Sequence, residues 1–276
     1  MRTLMFAAAA FLAVAAPSVA AAETGGHIKF TYASIDSENS FDDECEGPCD
    51  ISSDGLIALS GAVVTDVSDN WRIQFNGASA DVDANYFGFD YSRAYSQVEV
   101  HATRAVGMFD VGVFAGMFNN EGTSYWIYGA EGAANFERGE ITLSVAGATS
   151  PNSDDNFFGA GDEITSIAAS GTFYLTENIV IGASASNTDF GDNDFFFSDF
   201  DGEVTSYGVM AAYAIPNTDF SVGIGYRQSD SDFGDTDFIG VSLAWTFGEG
   251  SRGRVMPGAE ALIPDAIASF DSFFIS

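Results

Sequence analysis

Basic residues are scarce in this chain. Its 276 residues include 9 Lys and Arg against 40 Asp and Glu, a formal net charge of −31. Phosphate backbones are bound by clustered Lys and Arg, so nucleic acid is excluded as a partner. Histidine is scarcer still, with only His27 and His101. No G-x-S-x-G elbow accompanies them, so a Ser–His hydrolase lacks its parts and no enzyme is expected. Long apolar runs are absent beyond the N-terminus, because Asp, Gly, Ser or Asn interrupts the chain every few residues. A membrane-resident form of this chain must therefore cross with strands, since only helices and closed barrels satisfy their backbone groups in lipid.

What is present begins at the N-terminus. Arg2 gives a positive n-region, residues 4–16 are apolar, and Pro17 and Ser18 end the run. Ala20, Ala21 and Ala22 then supply a small-residue cleavage site. This is the anatomy of a secretory signal peptide over 1–22, and the apolar run is shorter than the ~20 residues of a membrane anchor. Export of the Sec type follows. In an oxidising compartment Cys45 and Cys49, in Glu44-Cys45-Glu46-Gly47-Pro48-Cys49, are expected to close a Gly-Pro turn as a disulfide. No further zinc ligands lie nearby. The acid content does not signal disorder, because 46% of residues are apolar and 26 are Phe, which need a core or a lipid phase.

From residue 25 to 247 the chain alternates apolar with small or polar residues, the period-two signature of strands. Ile28/Phe30/Tyr32, Trp71/Ile73/Phe75, Ile141/Leu143/Val145 and Ile239/Val241/Leu243/Trp245/Phe247 are clear examples. Twelve strands are expected, over 25–35, 55–65, 70–81, 93–105, 109–118, 123–134, 139–149, 162–175, 177–188, 203–214, 218–229 and 236–247. The weak patterning of 109–134 keeps counts of 10–14 compatible. Connections alternate between short ones (66–69, 106–108, 135–138, 176–177, 216–217) and longer, acidic ones (36–54, 82–92, 119–122, 150–161, 189–202, 230–235). This is the rhythm of an all-β, up-and-down antiparallel transmembrane barrel with short periplasmic turns and long extracellular loops. Trp71, Phe173, Tyr174, Tyr213, Phe220, Trp245 and Phe247 flank the short turns, and Tyr32, Tyr95, Tyr207 and Tyr226 lie nearer the loops, as two aromatic girdles would. The opposite parity is small and weakly polar, which suits a wet lumen better than a soluble surface rich in Lys and Glu.

Taken together, the leader, the hairpin rhythm and the closing strand Gly240-Val241-Ser242-Leu243-Ala244-Trp245-Thr246-Phe247 resemble the porin-like β-barrels of Gram-negative outer membranes. The closing strand resembles the signal by which barrel-assembly machinery recognises its clients, although here the chain continues past Phe247. The resemblance implies a multi-pass outer-membrane protein in contact with lipid and lipopolysaccharide, and passive diffusion of ions and small solutes through the lumen. It leaves the solute and the oligomeric state open.

Three candidate sites follow. Lys29, Thr31, Arg72, Gln74, Asn76, Glu99, His101, Glu131 and Arg227 are expected to face the lumen, where their charges would tune selectivity. Small lining residues favour an open channel over a sealed barrel, which needs larger side chains to fill it. The acidic segment 188–195 nearly repeats as 231–238, and Asp189, Asp192, Asp194, Asp230, Asp232, Asp235 and Asp237 are candidate oxygen ligands for Ca²⁺. The plain alternative is a solvated acidic rim that concentrates cations at the mouth. No other cofactor is expected. Residues 23–248 form the barrel and 249–276 a C-terminal extension: a Gly-containing linker, then an apolar, weakly amphipathic segment over 259–275. That segment reads equally as a helix plugging the lumen or as a periplasmic interaction segment. The expected function is thus a cation-preferring diffusion channel. The alternative is a non-conducting scaffold or adhesion barrel acting through its acidic loops.

Overall fold

Alternating side chains can only be kept on two faces if each strand pairs along its whole length, and the pairing here closes on itself. The computed structural model describes residues 24–39, 52–86, 89–120, 123–150, 163–195, 198–231, 234–248 and 256–275. The leader, the Cys45–Cys49 turn and the 249–255 linker lie outside these residues. Twelve antiparallel strands form one closed barrel in chain order. They are β1 (Thr24–Asn39), β2 (Ser52–Ser68), β3 (Trp71–Tyr86), β4 (Phe89–Val106), β5 (Phe109–Asn120), β6 (Thr123–Phe136), β7 (Gly139–Thr149), β8 (Glu163–Tyr174), β9 (Ile179–Phe195), β10 (Ser198–Ala214), β11 (Phe220–Ser231) and β12 (Gly234–Phe247). β1 meets β12 from Gly26↔Phe247 to Asn39↔Gly234, which removes the open edge.

The exterior is apolar. Val98, Val113, Ile141, Leu143, Ile167, Val209, Ile224, Ile239 and Val241 are each about half exposed or more. A belt of that kind is stable only in lipid. Trp71, Phe173, Tyr213, Phe220 and Trp245 stand outward near the short turns, and Tyr32, Tyr207 and Tyr226 outward nearer the other end. The chain is a transmembrane β-barrel.

Two features depart from the sequence pattern. Tyr95 does not belong to a girdle: it points inward and is fully buried. Its parity is that of Gln97, Glu99 and His101, and only its position near the loop end suggested otherwise. The hairpins also run further than alternation indicates. β9 and β10 continue pairing to Phe195↔Ser198, so the acidic stretch 189–202 is largely paired strand, with one irregularity between Asp201 and Glu203. The backbone ladder thus continues where the period-two signal has ended.

The chain does not stop at the barrel wall. At Gly248, φ is 78° and an added Cβ would meet the Thr24 carbonyl and lie 2.6 Å from Gly25 Cα, so only glycine turns the chain off β12 here. Residues 256–268, which include the start of the helix α1 (Leu262–Ile275), then occupy the barrel interior. Pro264 sits in the first turn of α1, where its missing N–H is not needed.

Candidate functional site: the lumen and its C-terminal strut

Strand spacing of about 4.8 Å and a tilt near 40° give a twelve-strand barrel a backbone diameter of roughly 24 Å. Inward side chains narrow this bore to little more than the ~10–12 Å width of one helix. A single segment can therefore obstruct it, and residues 256–268 do. They lie between two polar walls.

The first wall is β3, β4 and β6. Gln74 Nε2 donates to the Met256 carbonyl at 2.6 Å and its Oε1 accepts from Met256 N–H at 2.9 Å. Asn76 Nδ2 donates to the same carbonyl at 3.1 Å. Gly258 N–H is bound by Glu131 Oε2 at 3.1 Å and Ala259 N–H by Glu99 Oε1 at 2.9 Å. Gln97 Nε2 donates to the Ala259 carbonyl at 3.0 Å. The Gly258 and Ala259 N–H groups lie in the turn before α1, and the wall carboxylates satisfy these two buried donors from outside the segment. His101 lies between these carboxylates. Its Nδ1 is 2.8 Å from Glu131 Oε1 and its Nε2 3.4 Å from Glu99 Oε2, the second too poorly aligned to count as a hydrogen bond.

The second wall is β9, β10 and β11. Asp265, fully buried, accepts from Thr188 Oγ1 at 2.6 Å, Ser206 Oγ at 2.7 Å and Ser186 Oγ at 3.0 Å. The Arg227 guanidinium pairs with its Oδ1 and also donates to Ser186 Oγ at 2.9 Å. Hydrogen bonds to charged groups contribute about 1.5–3 kcal/mol each, roughly twice a neutral one. The ionic contacts at Glu99, Glu131 and Asp265 therefore dominate the hold on the tail.

Above these contacts an apolar ring closes on the tail. Inward-facing Tyr95, Phe118, Tyr125, Ile127, Phe190 and Val204 form one buried cluster with Leu262, Ile263, Ala266 and Ile267. Below it, where β7–β12 are lined with Gly, Ala, Ser and Thr, the strut leaves a cavity of about 500 Å³. Thr31 and Lys29 line it, with Lys29 Nζ 3.9 Å from Glu260 Oε1. The inner residues grow from half-exposed to buried toward the ring: on β8 from Ser170 to Ser166 and Ile164, and on β12 from Ser242 to Phe238. The lumen is thus a vestibule at the short-turn end, stoppered toward the loop end.

All nine lumen candidates have inward positions, with different neighbours. Gln74, Asn76, Glu99 and Glu131 bond to the tail directly, and His101 sits behind two of them. Arg72 is drawn away by Asp110, which also accepts from Asn135 Nδ2 at 2.8 Å. Lys29 and Thr31 border the cavity, and Arg227 holds Asp265. Gln97 and Ser206 share the polar parity read from the sequence and also face inward, whereas Asp110, Ser186, Gly258 and Asp265 were missed. Asp265 carried a readable signal, as one of three carboxylates, with Glu260 and Asp271, in an otherwise apolar segment. Of the calcium candidates, Asp230 and Asp235 face each other across β11 and β12, Asp237 accepts from Tyr226 Oη at 2.8 Å, and Asp189 accepts from Gly191 N–H at 2.8 Å. Among the described residues no group of three or more potential ligands converges. The Asp192, Asp194 and Asp232 side chains lie outside them.

No family model and no curated relative matches the sequence. Among solved structures, the barrel is similar to the NanC porin with a TM-score of 0.55 at 7% identity, covering 80% of this chain and 100% of that one. It is also similar to the KdgM porin with a TM-score of 0.50 at 10% identity, covering 80% and 99%. At such identities the likeness is one of fold.

Proposed function

We propose that this barrel is a channel for ions and small hydrophilic solutes that is closed at rest by its own C-terminal segment. One observation carries the reading: the wall behind the strut is polar. Gln74, Gln97, Glu99, Glu131, Ser186 and Ser206 would line a wettable bore once residues 256–268 moved away, and Lys29, Thr31 and Arg227 reach the cavity beside them. A barrel meant only as a scaffold has no need of polar groups at the interface with its filling, where an apolar core serves as well or better. The acidic residues of the loop-end hairpins would raise the local cation concentration and give the open state a cation preference.

A second reading has its own support. The apolar ring of Tyr95, Phe118, Tyr125 and Phe190 around α1 resembles a permanent seal, which suits a non-conducting scaffold. Planar-bilayer recordings under a KCl gradient separate the two. The full chain should show rare openings, and Asp265→Asn frequent steps with a cation-side reversal potential. Silence from both, with strand-type circular dichroism confirming the fold, would leave the scaffold.

A further inference from the structure

The first wall holds the tail in two chemically distinct ways. Met256 is held by the neutral amide of Gln74, which donates and accepts at once. Two and three residues on, the Gly258 and Ala259 N–H groups are held by carboxylates, although an amide oxygen would meet the same donors. The two carboxylates share one imidazole, and the Glu99, His101 and Glu131 side chains are all 0–1% exposed. Phe114 stacks on the imidazole at 5.4 Å, and Gly258 packs against its edge, where an added Cβ would come within 2.6 Å of Cε1. Three titratable groups thus meet at the point where the tail is bound.

We propose that the Glu99–His101–Glu131 cluster is a proton-operated latch, which holds the tail across the lumen near neutral pH and releases it when either the imidazole or the carboxylates change charge. This rests on the reading of the tail as the closure of a channel. With the imidazole protonated and both carboxylates ionised, a positive ring sits between two anions and the charges offset one another despite burial. Loss of the ring proton leaves two buried carboxylates without the cation between them. Protonation of the carboxylates instead strands a buried imidazolium, and it weakens two charge-assisted bonds to the tail into neutral ones. In either case withdrawal of the tail admits water and relieves the cost.

Other charges facing this region are committed elsewhere. Arg72 of β3 pairs with Asp110 of β5, Lys29 of β1 with Glu260 of the tail, and Arg227 of β11 with Asp265 of α1. Arg93 lies eight residues further along β4 with partners of its own, and His27 lies on β1. None of these is placed between the two carboxylates.

The test is open probability of the full chain in planar bilayers from about pH 4 to about pH 10, a range that extends well to either side of neutrality. Openings should be fewest near neutrality and rise about tenfold or more on each flank, the factor that corresponds to one pKa unit of linkage. The triple variant Glu99→Gln, His101→Gln, Glu131→Gln should lose this dependence. A flat wild-type curve overturns the latch whether or not the triple variant folds. If Asp265→Asn still opens the pore, the closure reading survives that result. If neither protein conducts at any pH, both readings fall together.

Discussion

Glu99 and Asp265 fix one short stretch of chain to opposite sides of the barrel. Glu99 stands on β4 and accepts the Ala259 N–H at 2.9 Å. Six residues later Asp265 is bound by Ser206 of β10, at 2.7 Å, and by Arg227 of β11. β4 and β10 are six places apart in a ring of twelve, which makes them diametrically opposed. A segment bound at only one wall could swing aside while remaining attached. Bound at both, it obstructs the bore until one set of contacts is given up.

The Asp265 end is therefore the place to break the strut. Asp265→Asn removes the charge that Arg227 faces in a buried setting, and losing one partner of such a pair costs about 3 kcal/mol. The barrel itself should stay intact, because its ladder is untouched. The expected result is faster protease cleavage within residues 249–268 and more frequent channel openings, with unchanged strand circular dichroism.

Gly258 offers a second way in that leaves every charge in place. Its φ is 58°, and an added Cβ would meet the Glu99 carboxylate and lie 2.6 Å from His101 Cε1. Gly258→Ala combines a left-handed backbone with this overlap, at a cost of about 1–3 kcal/mol. It should raise open probability as Asp265→Asn does. Ala259→Gly, a neighbouring change without that overlap, should have the smaller effect.

How far the sequence reveals this arrangement depends on which side of the wall is considered. Outward residues such as Ile141/Leu143/Val145 alternate against Thr142 and Ser144, so strand number and lipid face could be read directly. β5 and β6 were weak because Phe114, Phe118, Tyr125 and Ile127 point inward to meet the tail, while Val113, Met117, Trp126 and Tyr128 point outward. With both faces apolar, alternation vanishes. The same residues explain why the plug was hard to foresee: the apolar ring is visible only once its inward parity is known. Ser186, Thr188 and Ser206 carry no distinguishing mark in the sequence. Their role comes from register, which places them at one level on adjacent strands.

Face assignment can be checked with adjacent residues of β8. Ile167 is 54% exposed on the outside, and Ala168 lines the internal cavity. Arginine near the bilayer midplane costs about 2–4 kcal/mol on the lipid face of a barrel. Ile167→Arg should lower the urea midpoint for unfolding in lipid vesicles accordingly. Ala168→Arg should leave the midpoint nearly unchanged and alter conductance in a background opened by Asp265→Asn.

The rim makes a prediction about pH. The Asp235 carboxyl is held above the usual carboxylate range by burial first, then by the charges of Asp230 and Asp237 and a hydrogen bond with Asp230. A folded value above the unfolded one means that the ionised form is penalised in the folded hairpin. The hairpin is therefore tightened as pH falls through that value and loosened as pH rises through it. Asp235 should also be among the first rim carboxylates to lose its charge on acidification. In the Asp265→Asn background the cation-side reversal potential should begin to shrink above the ordinary Asp range, and Asp235→Asn should remove that early part of the decline.

The route taken by solute can be tested by filling the vestibule. Gly225 lines the cavity on β11, and an added Cβ there meets only the Val209 carbonyl at 3.6 Å and Met210 Cβ at 3.9 Å, ordinary contacts. A large side chain at this position would project into the space beside the strut without displacing backbone. Gly225→Phe combined with Asp265→Asn should fold normally and pass less current per opening than Asp265→Asn alone. Gly116 is the contrasting site, since its added Cβ would overlap the Val98 carbonyl and lie 2.9 Å from Glu99 Cα, so Gly116→Phe should impair folding instead. An unchanged unitary current in the Gly225 variant would mean that ions cross on the β3–β6 side, along the surface vacated by Met256 and Ala259.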